Sequence, residues 1–202
     1  MLNLIRRDFI IQKWQLLVFV LVILFFVLLG RQDPAFIFLL ASVIIPINTI
    51  AYDEKAETNI LLNSLPYTRS EIIASRYLGT IVFIILATGV TSVLLYVFDR
   101  NFSITDIAIS SSLALLLLSF YLPMSYIIKP GYNFPIAFIS FLLLAGIVPP
   151  IVSYLGENLT SVTDFLLNLS VPILYISALL LGFAIYATSW GITTIIYRRK
   201  AF

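Results

Sequence analysis

Long apolar blocks without a charged residue recur along the whole chain, and they restrict the fold more than any other feature of the sequence. Each block is about as long as a helix must be to cross a hydrocarbon layer of roughly 30 Å. The blocks FIFLLASVII and LALLLLSFYL lack the period-two alternation that strands of a membrane β-barrel require. Because 61% of the residues are apolar and 11% are charged, the composition lies outside the range of soluble domains. The sequence therefore predicts an all-α polytopic membrane protein.

Polar turns divide the chain, residues 1–202, into six predicted spans of one transmembrane domain. Residues 1–13 carry basic side chains on one side of a helical wheel and predict an interfacial helix. A basic flank that only sets orientation is the alternative interpretation. The predicted spans are residues 14–29, 36–52, 77–98, 107–128, 134–154 and 171–197.

Prolines predict irregularities in two of the spans. Pro46 is expected to kink the second span, and Pro149 with Pro150 is expected to break the fifth. Residues 161–169 follow with an apolar stripe at i, i+3, i+4 and i+7, which predicts an external amphipathic helix at the membrane surface. An ordinary surface loop is the alternative for this segment.

The distribution of basic residues predicts the orientation. With the amino terminus in the cytoplasm, ten of the 12 basic residues lie on the cytoplasmic side, and Arg31 and Arg100 lie outside. The opposite orientation would invert that ratio, which the positive-inside rule disfavours. We therefore expect a multi-pass protein of the cell membrane with both termini in the cytoplasm.

One polar stretch stands between two apolar blocks. Residues 53–76, DEKAETNILLNSLPYTRSEIIASR, contain seven charged residues and must lie in water. The stretch predicts a short helix over residues 55–63, a break at Pro66, and a new helix that starts with a capping box of Thr68 and Glu71. That second helix continues into the third span. We interpret the stretch as the cytoplasmic contact through which another protein drives the membrane part.

The sequence also excludes several kinds of chemistry. It contains no cysteine and no histidine, so thiolate catalysis, histidine bases and histidine-based metal sites are excluded. No G-x-x-x-x-G-K-[ST] loop is present, and no Asp, Glu, Lys or Arg falls within a predicted span, which disfavours a self-powered ion-coupled carrier. We predict no catalytic residue, no metal site and no cofactor in this chain. If it moves a substrate, the energy comes from elsewhere.

Four segments together resemble the small six-span permeases of ATP-binding cassette (ABC) transporters, the ABC-2 type exporters. They are IRRDFIIQK at the amino terminus, DEK…LLNSLPYTRSEIIASRYL, LPMSYIIKPGY and the terminal SWGITTIIYRRKAF. The resemblance covers almost the whole chain. The departures are modest, since the family commonly has a lysine where Arg7 stands and an aromatic residue where Pro130 stands.

The resemblance implies a function for the polar stretch. In that family, a short coupling helix between the second and third spans docks on a separate ATPase subunit, which binds ATP and Mg²⁺. The resemblance also implies the partners of this chain. They are two copies of the ATPase, the lipid bilayer, and a second permease subunit in either a homodimer or a heterodimer with a related permease. It implies no binding of nucleic acid. Carried over to this sequence, the coupling residues are Asp53, Glu54, Lys55, Glu57, Ile60, Leu61, Leu62, Arg69 and Glu71.

The expected function is thus the non-enzymatic permease subunit of an ATP-driven exporter. An amphipathic peptide, an antimicrobial compound or a lipid-like molecule is the expected cargo, because the predicted spans carry hydroxyl groups but no charge. A membrane scaffold or regulatory subunit without a transport path, and a passive channel, are the alternatives.

Overall fold

The computed structural model describes residues 2–29, 32–55, 67–128, 131–158, 168 and 170–199. Within these residues every regular element is an α-helix, which confirms the all-α prediction for this part of the chain. The six helices are α1 (Leu2–Leu29), α2 (Pro34–Lys55), α3 (Arg69–Val97), α4 (Ile104–Ile127), α5 (Asn133–Asn158) and α6 (Val171–Arg199).

Four of the helices are long and apolar enough to cross a membrane. They supply the segments Pro34–Asp53, Arg69–Val97, Ile104–Ile127 and Val171–Arg199. Shorter apolar stretches lie in α1 (Trp14–Leu28) and in α5 (Pro135–Ile151). The protein is therefore a multi-pass membrane protein, and the count of six spans stays a prediction.

Two helices are more continuous than the sequence suggested. We expected an interfacial helix over residues 1–13 followed by a separate span, but α1 runs unbroken through this boundary, where neither glycine nor proline interrupts the helical pattern. We also expected a break at Pro149 and Pro150, but both lie inside α5. A helix that ends within hydrocarbon leaves several backbone groups unsatisfied, whereas a helix that continues through proline loses few hydrogen bonds.

The external amphipathic helix predicted at 161–169 lies outside the described residues, apart from Asn168.

The helices begin and end at two opposite ends of the bundle. The start of α1, the end of α2, the start of α3 and the end of α6 meet at one end, through the contacts described below. We call this the charged end. At the opposite end, Arg100 Nη2 donates a hydrogen bond of 2.9 Å to the Gln32 carbonyl and so joins the α3–α4 turn to the α1–α2 turn. The described helix ends therefore place the two termini on the same side.

Small and aromatic side chains set the packing of the bundle. Gly182 of α6 lies against α4, where an added Cβ would be 3.5 Å from the Ser112 carbonyl oxygen. A buried apolar cluster that includes Tyr77, Tyr121 and Tyr186 lies among α2, α3, α4 and α6. Many large apolar side chains remain on the outside, such as Leu21 and Ile85, as expected of a surface that faces lipid.

Candidate functional site at the charged end

The start of α3 is fixed by a capping box. The Thr68 backbone N–H donates to Glu71 Oε2 at 2.8 Å, and the Glu71 backbone N–H donates to Thr68 Oγ1 at 3.3 Å. These two bonds satisfy backbone donors that a helix start would otherwise leave free. The capping box predicted from the sequence is confirmed, and it fixes where the polar stretch ends and α3 begins.

Two arginines and two aspartates from three helices form a compact cluster, which we call the charge quartet: Arg7, Asp8, Asp53 and Arg76. Arg7 Nη2 lies 2.9 Å from both Asp8 Oδ1 and Asp53 Oδ1. Arg76 Nη1 lies 2.8 Å from Asp8 Oδ2, and Arg76 Nη2 also contacts Asp53 Oδ2. Each arginine therefore bridges both aspartates, and the quartet has no net charge.

The charge quartet is largely removed from solvent. The exposed fraction of the side chain is 4% for Asp8, 6% for Arg76, 13% for Asp53 and 25% for Arg7. Burial of an unpaired charge costs several kcal/mol, so the four side chains are stable there only as a matched set. The start of α1, the end of α2 and the start of α3 are thus held together by mutual neutralisation.

Arg69, about two turns before Arg76 on α3, contacts the last helix. Its Nη1 donates to the Arg198 carbonyl at 2.8 Å and lies 3.5 Å from the Tyr197 carbonyl. These carbonyls belong to the final turn of α6, where a cation is favourable because of the helix dipole and the unsatisfied acceptors. Arg69 therefore attaches α6 to the same end of the bundle.

Tyr77 follows Arg76 and extends the polar contacts into the bundle. Its hydroxyl lies 2.9 Å from Ser189 Oγ and 2.7 Å from Thr193 Oγ1, both on α6. The Ser189 hydroxyl donates in turn to the Ser119 carbonyl of α4 at 2.6 Å. The helix that begins at the polar stretch is therefore connected to α4 and α6 by buried hydrogen bonds.

The coupling residues expected from the sequence have different positions in the structure. Asp53 belongs to the charge quartet, Arg69 binds the end of α6, and Glu71 is a capping residue. Glu54 and Lys55 are the last two residues of α2. Four of the expected residues lie outside the described part of the chain: Glu57, Ile60, Leu61 and Leu62.

Sequence reasoning missed Asp8 and Arg76 as members of one site. Arg76 lies one turn after Ile72 and Ile73 and next to Tyr77, all of which are buried in α3. A charge on the apolar stripe of a helix requires a partner, and this pattern could have indicated one. Asp8 is the only acidic residue before Asp33, so it was a candidate. Their pairing across 68 positions could not be read from the sequence.

The described residues contain no group of three or more Asp, Glu, His or Cys side chains that could hold a metal ion. The contacts that the structure shows at the charged end are ion pairs and hydrogen bonds between helices. Four helices are joined there, around the two ends of a polar segment. Such an arrangement can transmit a displacement of the polar segment to all four helices.

Comparison with curated proteins gives no match, and comparison with solved structures gives none either. The model of one protein family, described as ABC-2 family transporter protein, matches residues 3–198. The match covers nearly the whole chain, including every helix of the bundle, the charge quartet and the residues of the polar stretch. The protein is therefore a membrane protein of the ABC-2 transporter family.

Proposed function

We propose that this ABC-2 family protein is the permease subunit of an ATP-driven exporter, and that residues 53–76 receive the movement of a separate ATPase subunit. The observation that carries the proposal is the charge quartet. Asp53 and Arg76 lie at the two ends of the segment, and they contact each other and α1.

A displacement of the segment reaches four helices in this arrangement. Asp53 acts on α2 and Arg76 acts on α3, while the paired Arg7 and Asp8 carry the same force to α1. Arg69 carries it to α6 through the Arg198 carbonyl. A buried charge that loses its partner is strongly unfavourable, so these helix ends move together rather than slide past one another. This property is what a coupling element requires.

The middle of the segment provides the docking surface in this proposal. Ile60, Leu61 and Leu62 fill an apolar cleft on the ATPase, and Glu54 and Glu57 form part of a polar rim around it. Two copies of the ATPase act on a dimer of this protein or on a pair with a related permease. The ATPase holds ATP and Mg²⁺, and this protein contributes no catalytic group.

The charged end faces the cytoplasm in this proposal, with the protein in the cell membrane. The described basic residues toward this end are Arg6, Arg7, Lys13, Lys55, Arg69, Arg76, Arg198 and Arg199, whereas Arg100 lies at the opposite end. This asymmetry supports the orientation through the positive-inside rule. The cargo is amphipathic, a peptide, an antimicrobial compound or a lipid-like molecule, because the spans offer hydroxyl groups and apolar surface rather than charge.

Co-purification with an ABC-type ATPase tests the docking step. The ATPase is expected to co-purify with the full chain and to be lost when residues 55–63 are deleted or Glu54 is replaced by alanine. Asp53→Asn changes the attachment of the segment and not its docking surface. It is expected to retain the ATPase while it lowers the transport obtained per ATP hydrolysed in proteoliposomes.

Glu71→Gln is a matched control for the charge change in Asp53→Asn, because its amide oxygen can still accept the capping hydrogen bonds. It should retain both ATPase binding and transport. Retention of the ATPase after deletion of residues 55–63 would show that docking occurs elsewhere. Flux through the protein alone without ATP would instead identify a passive channel.

A further inference from the structure

A groove between α1 and α2 contains two amide side chains in otherwise apolar walls. Gln15 lines it from α1 and Asn48 lines it from α2. The groove has a volume of about 260 Å³, close to the ~300 Å³ at which ligand pockets commonly begin. Its other lining residues are Leu16, Val18, Phe19, Val22, Ile44 and Ile45. None of the eight residues is ionisable, so the groove favours an uncharged ligand.

The groove has a polar end and an apolar end. Gln15 is seven residues beyond Asp8, so the helical rise places it about 10 Å along the α1 axis from the depth of the charge quartet. Asn48 is five residues before Asp53 and lies about 8 Å along the α2 axis from the same depth. Val22, at the other end of the groove, lies about 21 Å from that depth by the same rise. The polar end therefore points toward the charged end of the bundle and the apolar end toward its middle. A lipid in one leaflet has the same polarity along the membrane normal.

The amide of Gln15 lacks a hydrogen bond that its surroundings require. Its Oε1 is buried and has no hydrogen-bond partner in the described part of the protein. A buried acceptor without a partner is unfavourable, and buried polar atoms in native structures normally have a hydrogen-bond partner. The side-chain amide can rotate to offer either its oxygen or its N–H groups. A ligand with a hydroxyl or an amide group carries both a donor and an acceptor, so it can form a hydrogen bond with the Gln15 amide in either orientation.

The groove is accessible from the hydrocarbon layer. Leu17, Val18 and Leu21 on α1 each expose more than half of their surface and are apolar. Large exposed apolar side chains on a multi-pass membrane protein face lipid. A ligand therefore enters the groove from the bilayer, and a charged headgroup would find no counterion there.

We propose that the α1–α2 groove binds an uncharged lipid of the bilayer. Its hydroxyl or amide headgroup forms hydrogen bonds with Gln15 and Asn48, and its hydrocarbon chain extends along Phe19, Val22 and Ile44. This site requires neither ATP nor a partner protein. It is therefore independent of the proposed exporter function.

A second groove in the same protein provides an internal comparison. It lies between the starts of α4 and α6, has a volume of about 270 Å³, and contains no amide side chain. Its lining residues are Ile104, Thr105, Ala108, Val171, Pro172, Tyr175, Ile176 and Leu179. The two grooves differ little in volume, and the second offers two hydroxyl groups but no amide, so the double variant that removes the amides completes the comparison.

Photolabelling in lipid vesicles tests the proposal. The full chain is reconstituted without ATP or ATPase and labelled with a monoacylglycerol that carries a diazirine in its chain, or with a diazirine-bearing alkane of the same length. Mass spectrometry then gives the labelling ratio of the two probes at each groove. We expect a ratio about tenfold higher at the α1–α2 groove, because one to two net hydrogen bonds contribute about 1–2 kcal/mol. In the double variant Gln15→Leu with Asn48→Leu, the ratio should fall to that of the α4–α6 groove.

Equal ratios at the two grooves in the native protein, or an unchanged ratio in the double variant, would overturn the proposal. An unlabelled α1–α2 groove beside a labelled α4–α6 groove would also overturn it, because a second copy or water would then fill the groove instead of lipid. If the double variant fails to fold, Val22→Phe narrows the apolar end and leaves both amides. Monoacylglycerol labelling that Val22→Phe does not reduce would also refute lipid binding.

Discussion

Removal of one arginine from the charge quartet should destabilise the protein strongly, whereas a second, neutralising change should recover part of the loss. Arg76→Gln leaves Asp8 and Asp53 to share the Arg7 guanidinium, which already lies 2.9 Å from both carboxylates. The cluster then has a charge of −1 at side chains that are 4% and 13% exposed. Loss of one partner from a buried ion pair costs about 3–5 kcal/mol, and we expect this range for Arg76→Gln.

Asp8→Asn alone should cost a similar amount, because it leaves the quartet with a charge of +1. The double variant Arg76→Gln with Asp8→Asn keeps one neutral pair, Arg7 with Asp53, and places two uncharged polar side chains beside each other. We therefore expect its loss of stability to be smaller than the sum of the single losses by on the order of 2 kcal/mol.

Unfolding in mixed micelles, with the fraction of SDS as the denaturant, measures these free energies. Trp190 stacks on Tyr77, with ring centroids 5.8 Å apart, so its fluorescence reports on the bundle next to Arg76. Trp14 is 71% exposed and should be replaced by phenylalanine in every variant, so that one tryptophan remains. Arg6→Gln is the matched control, since Arg6 is exposed and should change stability by less than about 0.5 kcal/mol. The reasoning would be refuted if Arg76→Gln cost no more than the control, or if the single losses were additive.

Three further changes test other contacts, each by the same unfolding measurement. Thr68→Ala removes the capping oxygen of α3 and should cost about 1 kcal/mol, whereas Thr68→Ser should restore most of it; an equal loss in both would contradict a capping role. Gly182→Leu should cost about 1–3 kcal/mol because its side chain overlaps α4, and Gly191→Leu, where a Cβ meets open space, should be tolerated. Tyr77→Phe removes two hydroxyl contacts with α6 and should cost roughly 0.6–1.7 kcal/mol. Tyr96→Phe, at an 80% exposed side chain, is its control, and equal effects of the two would argue against the interhelical bonds.

Local features of this protein could be predicted from the sequence because neighbouring residues determine them. Thr68 and Glu71 are three residues apart, so their capping box depends on one helical turn. Gly131 has a φ of +99°, which glycine adopts readily and few other residues adopt without strain. The apolar blocks likewise became helices because hydrocarbon leaves the backbone no other partner for its hydrogen bonds.

Features that depend on distant residues could not be predicted in the same way. The expectation of a break at Pro149 and Pro150 followed the local rule for proline, but α5 continues through both. Asp53 and Arg69 were expected to couple the chain to an ATPase, and that role stays a prediction; their contacts with other helices of the same chain were not foreseen. A charged side chain near a membrane boundary has the same local pattern whether it binds a neighbouring helix or another protein.

The sequence by itself determined the class of the protein, its all-α character and the start of α3 at the capping box, because hydrophobicity and capping act over one span or one turn. Only the tertiary structure decided that Arg7, Asp8, Asp53 and Arg76 form one neutral cluster. It also decided that Gln15 and Asn48 line one groove. Both sites require side chains from different helices, and the relative rotation and depth of packed helices depend on the whole bundle rather than on any one segment.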